Sequence, residues 1–365
     1  MFTNIKNTAI SIIILSITLT GCTLPTLTKK EPSITEPGGI APIISPSANV
    51  ANRYYEGILP YSPSETRGLL NGSSFDSGRF ELGLLEVAPK FFPQGDFLFQ
   101  EGQYLNYVEA RSWVREKNDE NKDGLNTKEK FLHLIVEHDY MRNNKENPSL
   151  GGVVVGLAIA FDYEYAVKDE QGNTTTYKKK FTEEQLDKKT KELVKRVSER
   201  MRKKVDVPIL IAMYGFELNN SAIPGRMLGV GLVDKGKETI TEWSPFQERY
   251  ILLPSTVTGI DDDQTMINKF NDFKKEVDGF FPEFTSVVGL GRIVDNKLKE
   301  LTITVRADYD SKTQIVQLTQ FLGATVEDYF DKNTHINIYV ESIERPQAIY
   351  VRPADGKPYM HIYRN

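Results

Sequence analysis

The sequence predicts an α+β fold: a helical N-terminal region followed by two β-α-β-β-β-like halves with mainly antiparallel sheets. Two observations predict it. At Gly151 the pattern changes from loop-rich helical segments to runs dense in Val, Ile and aromatic residues. Beyond that point a strand, an amphipathic helix and three short strands occur twice in the same order.

Each element follows from local chemistry. Residues 53–150 contain PYSPSETRGLL and FELGLLEVAPKFF and two helical stretches, 108–115 and 127–141. Residues 152–167 (GVVVGLAIAFDYEYAV) read as a mostly buried strand. Thr182, with Gln185 three residues on, forms a capping box for a helix whose Leu186, Thr190, Leu193, Val194, Val197 and Met201 share one face. Arg202, Lys203 and Lys204 suit its C-terminal dipole. Strands follow at 207–214, 227–233 and 248–253. A second helix starts in Asp261-Asp262-Asp263, acids favoured at a helix N-terminus, and aligns Met266, Phe270, Phe273, Val277 and Phe280. A strand at 301–309, a helix aligning Ile315, Leu318, Leu322, Val326 and Tyr329, and strands at 335–341, 348–352 and 359–363 complete the chain. Ala160-Phe161-Asp162-Tyr163 and Arg306-Ala307-Asp308-Tyr309 each close a strand ahead of a helix and three strands. They point to a duplicated unit with halves at 151–260 and 261–365 inside one body, 53–365, the first copy carrying a hairpin excursion at 166–181.

The chain is 39% hydrophobic and 26% charged, an ordinary globular balance that excludes disordered and collagenous classes. A net charge of −5 gives no pull toward nucleic acid or an anionic membrane surface, so neither is expected as a charge-driven partner. The single cysteine, Cys22, has no partner for a disulfide. It sits behind a leader: Lys6 is the only charge before it, and residues 8–20 are uncharged and mostly apolar. Thirteen such residues fit the apolar core of a secretory signal and fall short of the roughly 20 a transmembrane helix needs.

Leu19-Thr20-Gly21-Cys22 resembles the bacterial lipobox, which implies a signal peptide at 1–21, peptidase recognition through Leu19, Thr20 and Gly21, and a lipid on Cys22 at the mature N-terminus. Two or three acyl chains hold stably at about 0.8 kcal/mol per buried CH₂. Removing residues 1–21 takes away one lysine, leaving 44 basic against 50 acidic residues, or −6. Residues 22–52 carry prolines at 25, 32, 37, 42 and 46 and no aromatic residue, the composition of a tether.

Catalytic constellations are missing from the sequence. The run from Gly231 to Glu238 imitates a phosphate-binding loop but carries Glu238 where Ser or Thr belongs. No nucleophile elbow and no zinc-protease motif occurs, so no cofactor and no resident metal is expected. His133 and His138 are five apart in a stretch read as helix, off a common face, with His133 partly buried and His138 at the surface. Asp119 to Lys130 imitates a calcium loop, with oxygens at positions 1, 3, 5 and 9 and Gly124 at position 6. Lys130 stands where the bidentate acid belongs, so the stretch reads as a polar turn.

Several stretches carry a family resemblance. Ile58-Leu59-Pro60-Tyr61 with Arg67-Gly68-Leu69-Leu70, Leu252-Leu253-Pro254-Ser255-Thr256, Phe270-Asn271-Asp272-Phe273 continuing to Phe281, and His361-Ile362-Tyr363 before Asn365 resemble the CamS sex-pheromone precursor family of Gram-positive lipoproteins. The likeness runs over the body from about residue 54. It implies a lipoprotein anchored on the extracytoplasmic face of a Firmicute membrane, whose signal-peptide tail is released as a short hydrophobic signalling peptide. Here that tail is Leu15, Ser16, Ile17, Thr18, Leu19, Thr20 and Gly21, made more polar by three hydroxyl residues.

For the body two classes stand. One is a non-catalytic module holding a peptide, glycan or protein in a groove between the halves, lined by Arg67, Asp162, Tyr163, Asp308 and Tyr309. The other is a cell-envelope hydrolase using paired carboxylates, which would need two buried acids in a cleft about 5 to 10 Å apart.

Overall fold

Within residues 59–364, this computed structural model describes all but 72, 145–146, 220–221, 256–260, 281–284 and 344. Cys22, the Leu19, Thr20 and Gly21 recognition residues, the rest of the 15–21 segment and the 22–52 tether lie outside the described residues.

The first sheet is built from β1 (Phe97–Glu101), β2 (Leu132–Arg142), β3 (Ser149–Ala160), β6 (Ile209–Phe216), β7 (Arg226–Val233) and β8 (Glu242–Pro245), adjacent in that order. A separate hairpin, β4 (Asp162–Lys168) with β5 (Thr174–Lys180), projects between β3 and β6. The second sheet takes β9 (Glu248–Leu253), β10 (Thr285–Val294), β11 (Lys297–Ala307), β12 (His335–Glu341), β13 (Pro346–Arg352) and β14 (Tyr359–Ile362), again in chain order. All neighbours pair antiparallel except the central pairs, β3 with β6 and β11 with β12. Parallel neighbours need a crossover. Here α3 (Glu183–Arg202) and α5 (Lys312–Tyr329) supply it.

The two sheets thus share one strand order, and the repeat is longer than the sequence suggested. Each copy has two further strands ahead of the strand that precedes the crossover helix, joined by α2 (Tyr107–Trp113) in one copy and α4 (Asp261–Phe280) in the other. Residues 248–253, read from sequence as closing the first half, form the outer strand of the second sheet. Strand β10 went unread in the sequence; it meets β11 through Asp295-Asn296, both at positive φ (51° and 58°) as a tight primed hairpin requires.

One expectation is overturned outright. Residues 127–141 were expected to be helical, and 132–142 is strand β2. Both faces of the first sheet are covered: Leu134, Val136 and Tyr140 pack on one side and Ile135 on the other. A strand buried on both faces loses the polar alternation that would have distinguished it. Likewise the single strand expected at 152–167 breaks at Phe161 into β3 and β4.

On one face of the first sheet lies α1 (Ser77–Val87), with Phe80 and Leu84 packed against Gly156, whose backbone leaves no room for a side chain. On the other lies α3, set by the Thr182–Gln185 capping box that the sequence predicted. In the second sheet α4 and α5 cover one face with Phe270, Phe273, Val277, Leu318 and Leu322. The polar side of α1 meets the opposite face. Arg79 Nε donates to the Tyr250 hydroxyl at 2.6 Å, and Arg292 Nη2 lies 2.9 Å from Glu86. Glu248, its side chain 3% exposed, accepts from the Met227 N–H at 2.9 Å and from Tyr250 at 3.0 Å, and pairs with Arg292. One carboxylate thereby ties β7 of the first sheet to β9 and β10 of the second.

Candidate functional site

The described surface has a pocket of about 710 Å³ beside α3, within the range typical of small-molecule sites. Leu186, Thr190 and Val194, four residues apart along the helix, form one wall. Ile159 and Phe161 at the end of β3, and Arg226 and Leu228 at the start of β7, form the floor. Ile240 and Trp243 close the far side. Two glycines make that wall: side chains at Gly229 and Gly231 would collide with Trp243, and Gly231 also with Ile240, so only bare backbone lets these groups lie on β7.

The rim is charged. Lys191 donates to Asp187 at 2.7 Å, neutralising both, and Lys195 is 4.0 Å from Glu199. Arg226 lies over the Phe161 ring at 4.7 Å. Among the described residues its guanidinium has no hydrogen-bonded or ion-paired partner, and burial pulls its pKa below the usual guanidinium range, although it remains cationic. The site is an apolar trough with an exposed cation, seated on an aromatic ring, at its edge.

The five residues expected to line a groove between the halves do not come together. Asp162 is wholly buried, accepting from the Leu218 N–H at 2.9 Å and pairing with Lys178 at 2.8 Å; it locks the start of the β4–β5 hairpin. Tyr163, partly buried, packs a tilted ring against Phe181 at 4.8 Å on the edge of the first core. Tyr309 packs against the second core, and Asp308 is exposed beside it. Arg67 pairs with Glu101 and donates to the Tyr61 hydroxyl at 2.6 Å. These residues end strands or hold loops, and the two Asp-Tyr pairs serve separate cores. Sequence reasoning missed the α3 pocket, although the helix face at 186, 190 and 194 was legible, because Trp243 and Arg226 come from strands distant in the chain.

Paired carboxylates do occur, but inside the protein. Glu137 and Asp139 share a face of β2 and are 0% and 1% exposed. Glu137 Oε2 accepts from the Tyr104 and Leu105 N–H groups at 3.0 and 2.6 Å, and Asp139 Oδ2 from the Gln103 N–H at 2.9 Å. Their remaining oxygens, Oε1 and Oδ1, are buried without a hydrogen-bond partner, a setting that favours the protonated carboxyl. Burial and then the Glu137 charge push Asp139 up to about 9, and burial raises Glu137. Neither acid lines the α3 pocket. His138 also corrects expectation: it is 3% exposed, and burial lowers both it and His133 to about 4.

In the 119–130 stretch, Asn121 Oδ1, at loop position 3, accepts from the Ser112 hydroxyl at 2.5 Å while its amide nitrogen donates to the Ser112 and Glu116 carbonyls, and the Asn126 side-chain oxygen accepts from the Phe131 and Leu132 N–H groups at 2.9 and 2.8 Å. The segment that follows is a strand where a calcium loop has its second helix.

A family model described as CamS sex pheromone cAM373 precursor matches residues 61–358. The crystal structure of a sex pheromone precursor from Lactobacillus salivarius subsp. salivarius is 27% identical, with a TM-score of 0.78 over 85% of this chain and 96% of that one. The C-terminal domain of the sex pheromone staph-cAM373 precursor from Staphylococcus aureus is 26% identical, with a TM-score of 0.68 over 80% of this chain and 98% of that one. No curated protein matches.

Proposed function

This chain belongs to the CamS family of sex pheromone precursors, and from that premise we propose a lipoprotein anchored through Cys22 whose folded body is a non-catalytic binding module. The body would stand off the extracytoplasmic face of the membrane on the 22–52 tether, and take its ligand in the pocket beside α3. The Leu15–Gly21 tail would leave as a short peptide when the signal is cleaved. The anchor reading rests on the Leu19-Thr20-Gly21-Cys22 motif behind an apolar leader, and no helix among the described residues is long and apolar enough to cross a membrane. Cys22→Ser then moves the protein from the membrane fraction to the medium or leaves it as an unprocessed precursor of higher mass. A wild-type N-terminus carrying no lipid by mass spectrometry overturns the anchor.

The observation that carries the binding reading is the α3 pocket, with the exposed Trp243 as its wall. A hydrolase working through paired acids would need them within reach of substrate, and Glu137 and Asp139 are sealed beneath the loop at 102–106. Binding is read with N-phenyl-1-naphthylamine, a neutral apolar dye, added to the mature chain carrying Cys22→Ser. The dye binds wild type with a Trp243 fluorescence change that Trp243→Phe abolishes. Thr190→Phe fills the trough and weakens binding by about tenfold or more, the effect of losing one or two buried apolar groups. Equal binding by Thr190→Phe places the dye elsewhere and removes the support.

A further inference from the structure

The pocket beside α3 also carries information about the head of its ligand. Its walls are Ile159, Leu186, Val194, Leu228, Ile240 and Trp243, so the body of a ligand there must be apolar. Its charged residues do not balance. Asp187, the one acid of the lining, is occupied by Lys191 at 2.7 Å, which leaves Lys195 and Arg226 as surplus cations. Of these Lys195 is a solvated helix residue with Glu199 at 4.0 Å. Arg226 is held in place by the Phe161 ring and has no ion pair among the described residues, although Glu217 and Glu248 lie close enough to act on it through space.

The second sheet offers a comparison. A cavity of about 610 Å³ lies beside α5 and β13, in the corresponding layer, and it too contains an arginine, Arg352. That guanidinium donates to the Phe330 and Asp331 carbonyls at 3.1 and 2.7 Å and pairs with Glu327 at 3.3 Å. Arg352 is consumed by its own fold. Arg226 is not, and a planar guanidinium fixed on a ring at the edge of an apolar trough is suited to a two-oxygen anion.

We propose that the α3 pocket binds a single apolar chain bearing an anionic head, a carboxylate or a phosphate, with the chain in the trough and the head on Arg226. This rests on the reading of the pocket as the ligand site. A neutral head would gain nothing from the exposed donors of Arg226, and a cationic head would be repelled by Arg226 and Lys195.

Displacement of bound N-phenyl-1-naphthylamine from the mature Cys22→Ser chain tests this, with dodecanoate, dodecyl phosphate and dodecanol as competitors below their micellar concentrations. At least one anionic chain should compete about tenfold better than dodecanol. Which one does so distinguishes the carboxylate source from the phosphate source. Arg226→Gln should abolish that preference when each competitor is scaled to the variant's own dye affinity, and Arg226→Lys should restore part of it. Equal competition by dodecanol, or a preference that survives Arg226→Gln, overturns the assignment of the head while the binding module stands. Failure of the dye and of all three chains to bind overturns both.

Discussion

Replacing Glu248 with alanine lowers the stability of the body by about 3–5 kcal/mol in chemical denaturation, the cost of breaking a buried charge network by removing one partner. The carboxylate is 3% exposed and serves the Met227 N–H, the Tyr250 hydroxyl and Arg292, with Arg79 at 3.5 Å. Without it the Met227 N–H loses its acceptor. Arg79 and Arg292 are then left to Glu86, at 3.2 and 2.9 Å, and to Glu300, at 3.7 Å from Arg292. Glu248→Gln keeps an acceptor for Met227 and costs less. Loss of under 1 kcal/mol in Glu248→Ala would mean that the sheets are not joined through this residue. Because Met227 lies between Arg226 and Leu228 of the pocket floor, the variant also weakens dye binding.

The second large effect has the opposite sign. Asp139→Asn stabilises the protein by about 2 kcal/mol at pH 8, since a neutral amide fills the buried site without the proton that burial forces on Asp139. Asp139 is raised to about 9 in the fold, whereas an unfolded chain releases that proton near pH 4. Between those values the folded state holds more protons than the unfolded one, so this contribution is fully present in acid and falls as the pH rises toward 9. The slope approaches about 1.4 kcal/mol per pH unit. His133 and His138, lowered to about 4, act oppositely but only below their ordinary value of 6.5. Denaturation midpoints between about pH 7 and 8.5 therefore isolate the acid pair. Wild type loses stability across that window and Asp139→Asn stays flat; parallel lines for the two would show that Asp139 does not hold a proton in the fold.

The parts of this fold that were legible in the sequence are those where local and global preferences agree. The α3 helix announced its start through Thr182 and Gln185 and its buried face through Leu193, Val197 and Met201, and each is found in that role. The repeat was visible through the order of strand and helix, and the CamS likeness through motifs spread along the body. Strand β2 was illegible because Glu137, His138 and Asp139 put polar groups into the interior of a sheet, where periodicity expects apolar ones. Those acids make sense only once the N–H groups of Gln103, Tyr104 and Leu105 are seen above them. The same limit hid the pocket. Its trough depends on Arg226 standing over Phe161 and Trp243 lying on Gly229 and Gly231, and no spacing rule relates positions 161, 190, 226 and 243.

A binding body presented at the cell surface is the central claim, and photo-crosslinking in intact cells tests it most directly. A dodecyl chain bearing a diazirine is added to cells carrying the lipidated protein, irradiated, and the labelled residues are mapped by mass spectrometry. Label is expected on the pocket-lining residues 186–195 of α3 and 226–243 of the facing strands and turn, reduced in Thr190→Phe. Label scattered over the surface, or concentrated around Asp308 and Tyr309 with none on α3, would contradict it.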